Sequence, residues 1–281
     1  MFPRTTVGGI SLPRMIIGSN WFMGFSHTSA AKDKYIKETM TPRKIAEIVK
    51  VFVGVGVDAI IGLLEMPGLK AAVEESQQLT GKKLTVISTP GLNIGDSPAA
   101  LGEAQRTIEK NAQLGASFCM PHTSSTDKLV DARARVVRNM DKYARMIRQC
   151  GMIPGLSTHL PESIVFADES NLDVETYVSI YNAAGFLMTV EIDWVHRIIW
   201  DARKPVMTIK PMAAGRLIPL VGLGFSWATL RECDMVCVGT MTPDEAKEVI
   251  DISFSILQRR ADTVELQRTR SKDTVSQKKN A

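Results

Sequence analysis

Short apolar runs rich in β-branched residues alternate along the chain with longer stretches whose apolar positions recur every three or four residues. The runs span residues 14–20, 57–64, 84–89, 117–122, 152–159, 176–182, 205–210 and 235–240. Most are apolar nearly throughout, the pattern of parallel strands covered on both faces. The stretches between them carry helix-start signals. Thr41-Pro42, Ser97-Pro98 and Thr242-Pro243 each set a hydroxyl cap before a proline whose fixed φ suits the first helical turn. Asp244 and Glu245 follow where the helix dipole favours carboxylates. Ile45, Ile48, Val49 and Phe52 then share one helical face, and Gly81, Gly115 and Gly151 stand where helices should stop.

Eight β-then-α units within residues 1–258 meet the requirement of a closed (β/α)8 barrel, an α/β TIM barrel in a single domain. A doubly wound open sheet would leave edge strands, and none of the eight runs is polar enough to be one. No Gly-x-Gly-x-x-Gly follows the first strand. Residues 259–281 read as a polar, basic tail that carries the whole net charge of +4, so the body is neutral. A neutral body lacks the basic face that nucleic acid needs. No apolar run approaches the ~18 residues of a membrane span, and the N-terminal residues lack a signal-peptide core. Four cysteines without a CxxC spacing read as reduced thiols. The expectation is a cytoplasmic protein whose partner is a small-molecule substrate, with neither nucleic acid nor membrane, and with a homo-oligomer allowed.

In such a barrel the strand C-termini converge on one mouth, where the chemistry is done. That rule collects Asn20, Glu65, Thr89, His122, Thr158, His159, Asn182, Lys210, Gly239 and Thr240. His122 precedes a hydroxyl-rich run, Thr123-Ser-Ser-Thr126, and suits a general acid/base. Lys210 ends an apolar strand, where desolvation lowers an amine's pKa and fits it for proton donation, Schiff-base chemistry or charge stabilisation. Gly215-Arg216 and Gly239-Thr240 occupy the corner where these barrels hold phosphates, the glycines for close backbone approach and Arg216 for a bidentate grip. His159, on the strand beside His122, is a further catalytic candidate. The two imidazoles could share a divalent metal with Glu65 or Asn182, but no His-x-His or His-x-x-x-His spacing supports one. Residues 21–40 read as a long loop whose Trp21, Phe22, Phe25 and His27 suit an active-site lid.

Arg4-Thr-Thr-Val-Gly-Gly-Ile-Ser-Leu-Pro-Arg-Met-Ile-Ile-Gly18 resembles the N-terminal hairpin and first strand of the aldo/keto reductases. Val86-Ile-Ser-Thr89 and Gly155-Leu-Ser-Thr-His159 resemble their third and fifth strands. Lys204-Pro-Val-Met-Thr-Ile-Lys-Pro-Met-Ala-Ala-Gly-Arg216 looks like the seventh strand and its loop, and Val238-Gly-Thr-Met-Thr-Pro-Asp-Glu-Ala-Lys247 like the last strand and helix. The resemblance implies a nicotinamide dinucleotide, NADP for example, at the glycine-marked corner. It also implies a tetrad: Asp closing the second strand, Tyr soon after, Lys closing the third strand and His closing the fourth. Only His122 matches. The second strand reads Asp58-Ala-Ile-Ile-Gly-Leu-Leu-Glu65 with no Tyr following, and the third ends in Thr89-Pro90.

Three expectations follow. The first is an enzyme acting on a polar carbonyl or sugar, phosphorylated or not, by non-redox isomerase or lyase chemistry. His122, His159 and Lys210 would be catalytic, and Asn20, His27, Glu65, Asn182, Gly215, Arg216, Gly239 and Thr240 would bind substrate or phosphate. The second is a nicotinamide-dependent oxidoreductase in which His122 replaces the missing donor. The third is a non-catalytic barrel that binds a ligand or a partner.

Overall fold

The computed structural model describes residues 1–259, so the predicted tail lies outside the described residues apart from Arg259. A hairpin opens the chain, β1 (Arg4–Val7) and β2 (Ile10–Pro13) joined through Gly8 and Gly9. Both glycines have positive φ, +55° and +80°, as a two-residue turn matched to the strand twist requires. The first barrel strand, β3 (Met15–Gly18), follows directly. Next come α1 (Ala30–Thr39), α2 (Pro42–Gly54), β4 (Ala59–Gly62), α3 (Pro67–Thr80), β5 (Thr85–Ser88) and α4 (Pro98–Gln113). Then follow β6 (Phe118–Cys119), a single turn α5 (Thr123–Thr126), a small hairpin of β7 (Val130–Asp131) and β8 (Val136–Val137), and α6 (Met140–Gln149). The chain continues through β9 (Ile153–Pro154), β10 (Leu156–Ser157), α7 (Glu162–Glu169), β11 (Tyr177–Ile180) and α8 (Ile192–Asp201). It ends in β12 (Val206–Ile209), α9 (Pro219–Thr229), β13 (Met235–Val238) and α10 (Pro243–Leu257).

All eight expected strands are present, parallel and in one sheet, in the order β10-β11-β12-β13-β3-β4-β5-β6-β9. The two end members are halves of one strand bent at Gly155. Its first half pairs with β6 (Phe118 beside Ile153) and its second with β11 (Leu156 beside Tyr177), so the ring closes through a single segment. The three predicted caps form as expected: the hydroxyls of Thr41, Ser97 and Thr242 accept from the backbone N–H of Lys44, Ala100 and Glu245. One expectation fails. Residues 21–40 are not a loop throughout, because Ser29 caps α1 there and Ile36 of that helix is fully buried. Polar residues dominate α1, leaving too weak an apolar stripe to betray the helix in the sequence.

The strands alternate between two cores, as barrel strands must. Ile16, Ala59, Ile61, Ile87, Phe118, Met120, Val178, Met207, Met235 and Cys237 point inward and fill the lumen. Their neighbours Met15, Ile17, Ile60, Val86, Val206 and Val238 point outward into the helical layer. Val7 and Leu12 of the opening hairpin join the lumen cluster and plug its N-terminal end. At that end Asp234, fully buried, accepts from Arg231 at 2.7 Å and from the backbone of Val206 at 2.9 Å. Arg14 braces the same turn through the carbonyls of Asp234 and Arg231. The closed end is thus committed to stability, which leaves the C-terminal end for function. Among the described residues no helix is long and apolar enough to cross a membrane.

Candidate active site

A cavity of about 780 Å³ opens at the C-terminal end of the barrel. Its floor is the last layer of lumen side chains, Ile61, Val178, Ile209 and Cys237. The space above that floor exists because small residues end the strands. Gly62 shows the constraint most sharply: a Cβ there would stand 1.8 Å from the hydroxyl oxygen of Ser19.

Of the predicted site residues, Asn20, His27, His122, His159, Lys210, Gly215, Gly239 and Thr240 all line this cavity, as does Thr89. Glu65, Asn182 and Arg216 do not. Glu65 accepts from Asn111 at 2.7 Å and pairs with Lys110 at 3.3 Å, which ties the end of β4 to α4. Asn182 is fully buried and braces its own loop, accepting from the N–H of Ala184 and Phe186 and donating to the carbonyl of Phe186. Arg216 stacks its guanidinium 4.0 Å from the centre of the Phe186 ring and donates to the Ala213 carbonyl. The bidentate phosphate grip expected of Arg216 is therefore not assembled. A shared metal fares no better: among the described residues no group of three or more His, Cys, Asp or Glu side chains could hold one.

Lys210 is the organising charge. It follows β12 with a left-handed backbone, φ +62°, a conformation costly for a residue with a Cβ and concentrated at functional sites. His27 and Ala214 in the same cavity wall are also left-handed, at +55° each. Burial lowers the pKa of the Lys210 amine. Cys237 does not serve as its counter-ion, because burial pushes that thiol up to about 12.

The three imidazoles around it are held neutral. Burial and then the Lys210 ammonium push His159 down to about 4, and the same two causes lower His27 and His122. Nδ1 of His122 accepts the backbone N–H of Ser124 at 3.2 Å and lies 2.9 Å from its hydroxyl. A neutral ring that accepts at Nδ1 carries its proton on Nε2. His122 is thereby fixed as a hydrogen-bond donor in the cavity wall.

Asp127, one turn beyond His122, is the residue that sequence reasoning overlooked. Its carboxylate accepts from Thr123, from Thr158 at 2.7 Å and from the backbone N–H of His159 at 3.2 Å. It joins the β6 and β10 mouths and sets the two histidines relative to each other. No periodicity flags a carboxylate inside a hydroxyl-rich loop.

A nicotinamide dinucleotide fits the residues present on one specific count. Thr240 Oγ1, at the end of β13 in the cavity wall, is buried without a hydrogen-bond partner, the one such side-chain atom among the described residues. A polar ligand in the cavity would satisfy it. Gly215, with open space around it, and Gly239 lie in the same wall.

The fold is that of the aldo-keto reductases. A Pseudomonas aeruginosa protein described as an aldo-keto reductase superposes with a TM-score of 0.64 at 12% identity, covering 90% of this chain and 95% of the other. An aldo/keto reductase from Brucella melitensis gives 0.58 at 12% identity over 90% and 92% of the two chains. Aldose reductase from Giardia lamblia gives 0.59 at 10% identity over 92% and 89%. No family model and no curated protein matches the sequence.

Proposed function

We propose that the protein is an oxidoreductase that interconverts a small carbonyl compound and its alcohol with a nicotinamide dinucleotide. The fold's relatives at 10–12% identity are named as reductases, so the non-redox expectation gives way to the redox one. The observation that carries the reading is the joint presence of Lys210 and His122 at the barrel mouth, although the tetrad's own Asp, Tyr and Lys have no counterparts. When bound, the nicotinamide supplies or accepts the hydride.

The remaining work falls to this chain. His122 donates Nε2–H to the substrate carbonyl oxygen and polarises it. The Lys210 ammonium meets the negative charge that develops on that oxygen and delivers the proton that makes the alcohol. A neutral imidazole is too weak an acid for that transfer, whereas an amine with lowered pKa parts with its proton more readily than an ordinary lysine. The proton donor is therefore Lys210 instead of the expected His122. Thr240, Gly215 and Gly239 would hold the dinucleotide, and the apolar Trp21, Phe25 and Leu217 exclude water from the reacting centre.

The test is reduction of a panel of aldehydes, ketones and oxo acids, followed by loss of the reduced-nicotinamide signal. Lys210→Met should lower kcat by about 10²–10⁴-fold, the usual worth of a positioned proton donor. Wild-type activity should fall as pH rises through a value below the usual ~10.4 of lysine. No conversion across the panel, together with no effect of NADH or NADPH on intrinsic fluorescence, would refute the reading.

A further inference from the structure

Among the described residues the Lys210 charge has no counter-ion within ion-pair distance. No hydrogen bond or ion pair engages its ammonium among the described residues, and of the carboxylates around the cavity only the half-buried Glu248 of α10 has no hydrogen bond or ion pair of its own, and it does not pair with Lys210. Asp127 is taken by Thr123, Thr158 and the N–H of His159. Asp33 is taken by Ser26, through its backbone N–H at 2.8 Å and its hydroxyl. On the α10 side of the cavity, Glu245 caps the N–H of Met241 at 2.6 Å. A half-buried cation without a partner is costly to keep, and structures retain one where something else completes the pair.

We propose that the missing partner is the substrate: Lys210 and the imidazoles of His27, His122 and His159 form a binding site for a small monoanionic carboxylate, a 2-oxo acid or its 2-hydroxy counterpart. The carboxylate half of this inference stands on the cavity alone; the 2-oxo half rests on the carbonyl chemistry proposed above. Lys210 is the ammonium that acts on all three rings, while the other cavity-lining ammonium, Lys32, lies over the Tyr35 ring; one such charge among three neutral rings matches a single negative charge. A phosphate monoester would bring nearly two, with Arg216 turned away onto Phe186. The rest of the wall, with Trp21, Phe25, Leu63 and Leu217, suits the apolar body of such an acid. In a 2-oxo acid the carboxylate and the carbonyl oxygen lie side by side, so one ammonium can meet both while His122 donates to the carbonyl.

The site also couples binding to protons. The charged and titratable groups facing His159 are Lys210, Asp127, His122 and His27. An anion on Lys210 cancels the repulsion that helps hold His159 neutral, so its pKa rises on binding and a proton is taken up. Affinity must then increase as pH falls.

Calorimetric titration with 2-oxobutanoate and with its methyl ester, without added nucleotide, tests the site. The acid should bind at least tenfold more tightly than the ester, and more tightly at pH 5.5 than at pH 7.5. Apparent enthalpies in buffers of different ionisation heat should reveal proton uptake. Lys210→Met should erase the difference between acid and ester, while Lys210→Arg, which keeps the charge, should retain part of it. His159→Gln should retain the preference for acid but weaken its pH dependence, His27 and His122 supplying what remains. Equal binding of acid and ester, no binding of the acid, or full acid preference in Lys210→Met would each overturn the proposal. The two readings fail separately. Acid binding with this signature but no nicotinamide-dependent conversion would refute the oxidoreductase and leave the anion site, whereas reduction of neutral carbonyls with no acid binding would do the reverse.

Discussion

The imidazole of His159 should make the protein acid-sensitive by an amount that can be worked out beforehand. Burial and Lys210 hold it at about 4 in the folded chain, against 6.5 for a free histidine. Between those values the unfolded chain binds a proton that the folded chain refuses, so stability rises with pH. The contribution is complete above pH 6.5 and is progressively lost as pH falls towards 4. At 1.36 kcal/mol per pH unit, the full loss is at most about 3 kcal/mol, a little under half of it already gone at pH 5.5. Urea unfolding of wild type and His159→Gln at pH 7.5, 5.5 and 4.5 isolates this residue from other acid-sensitive groups. The wild type should lose about 2 kcal/mol more than the variant between the extremes, the remainder of the loss falling below pH 4.5 and partial exposure of the ring screening the rest. Lys210→Met, which removes the second cause of the depression, should raise the His159 midpoint observed by proton NMR. Parallel acid loss in wild type and His159→Gln would refute the assignment, and so would a His159 midpoint unmoved by Lys210→Met.

Other consequences of the structure can be checked as directly. Gly62→Ala should cost about 1–3 kcal/mol in thermal or urea unfolding, because its Cβ would overlap the buried Ser19 hydroxyl and nearby strands leave little room to yield. Asp234→Ala should cost about 3–5 kcal/mol, since it strands Arg231 and the N–H of Val206 at the closed end of the barrel. Thr240→Val should leave the melting temperature unchanged or higher, because it removes an unsatisfied hydroxyl. The same variant should weaken NADH or NADPH binding, read by fluorescence quenching; unchanged affinity would remove Thr240 from the nucleotide site.

The barrel was legible because its physical signal is collective. Eight apolar runs separated by capped amphipathic helices permit few arrangements, and an error of a residue or two at any boundary leaves the topology intact. The mouth was legible in part for the same reason: strand ends point to one place, and that rule alone assembled Lys210, His122 and His159. It failed wherever a side chain's direction decides the outcome. Glu65 and Asn182 sit at strand ends, yet one reaches outward to α4 and the other folds back on its own loop. Arg216 carries the right charge for a phosphate, but the aromatic face of Phe186 competes for it, a contact that sequence distance hides. The protonation of His122 turned on its surroundings. A free imidazole titrates near neutrality and reads as an acid/base, but burial and then the Lys210 ammonium hold it neutral, and the N–H aimed at Nδ1 sets which nitrogen keeps the proton. In the proposed reaction that shift moves the proton to Lys210, whose own strand end was plain from the start. Residue type and strand position thus locate a group, while its burial, hydrogen bonds and neighbouring charges assign its proton, and for the proposed reaction the second step reverses the order of the two candidates.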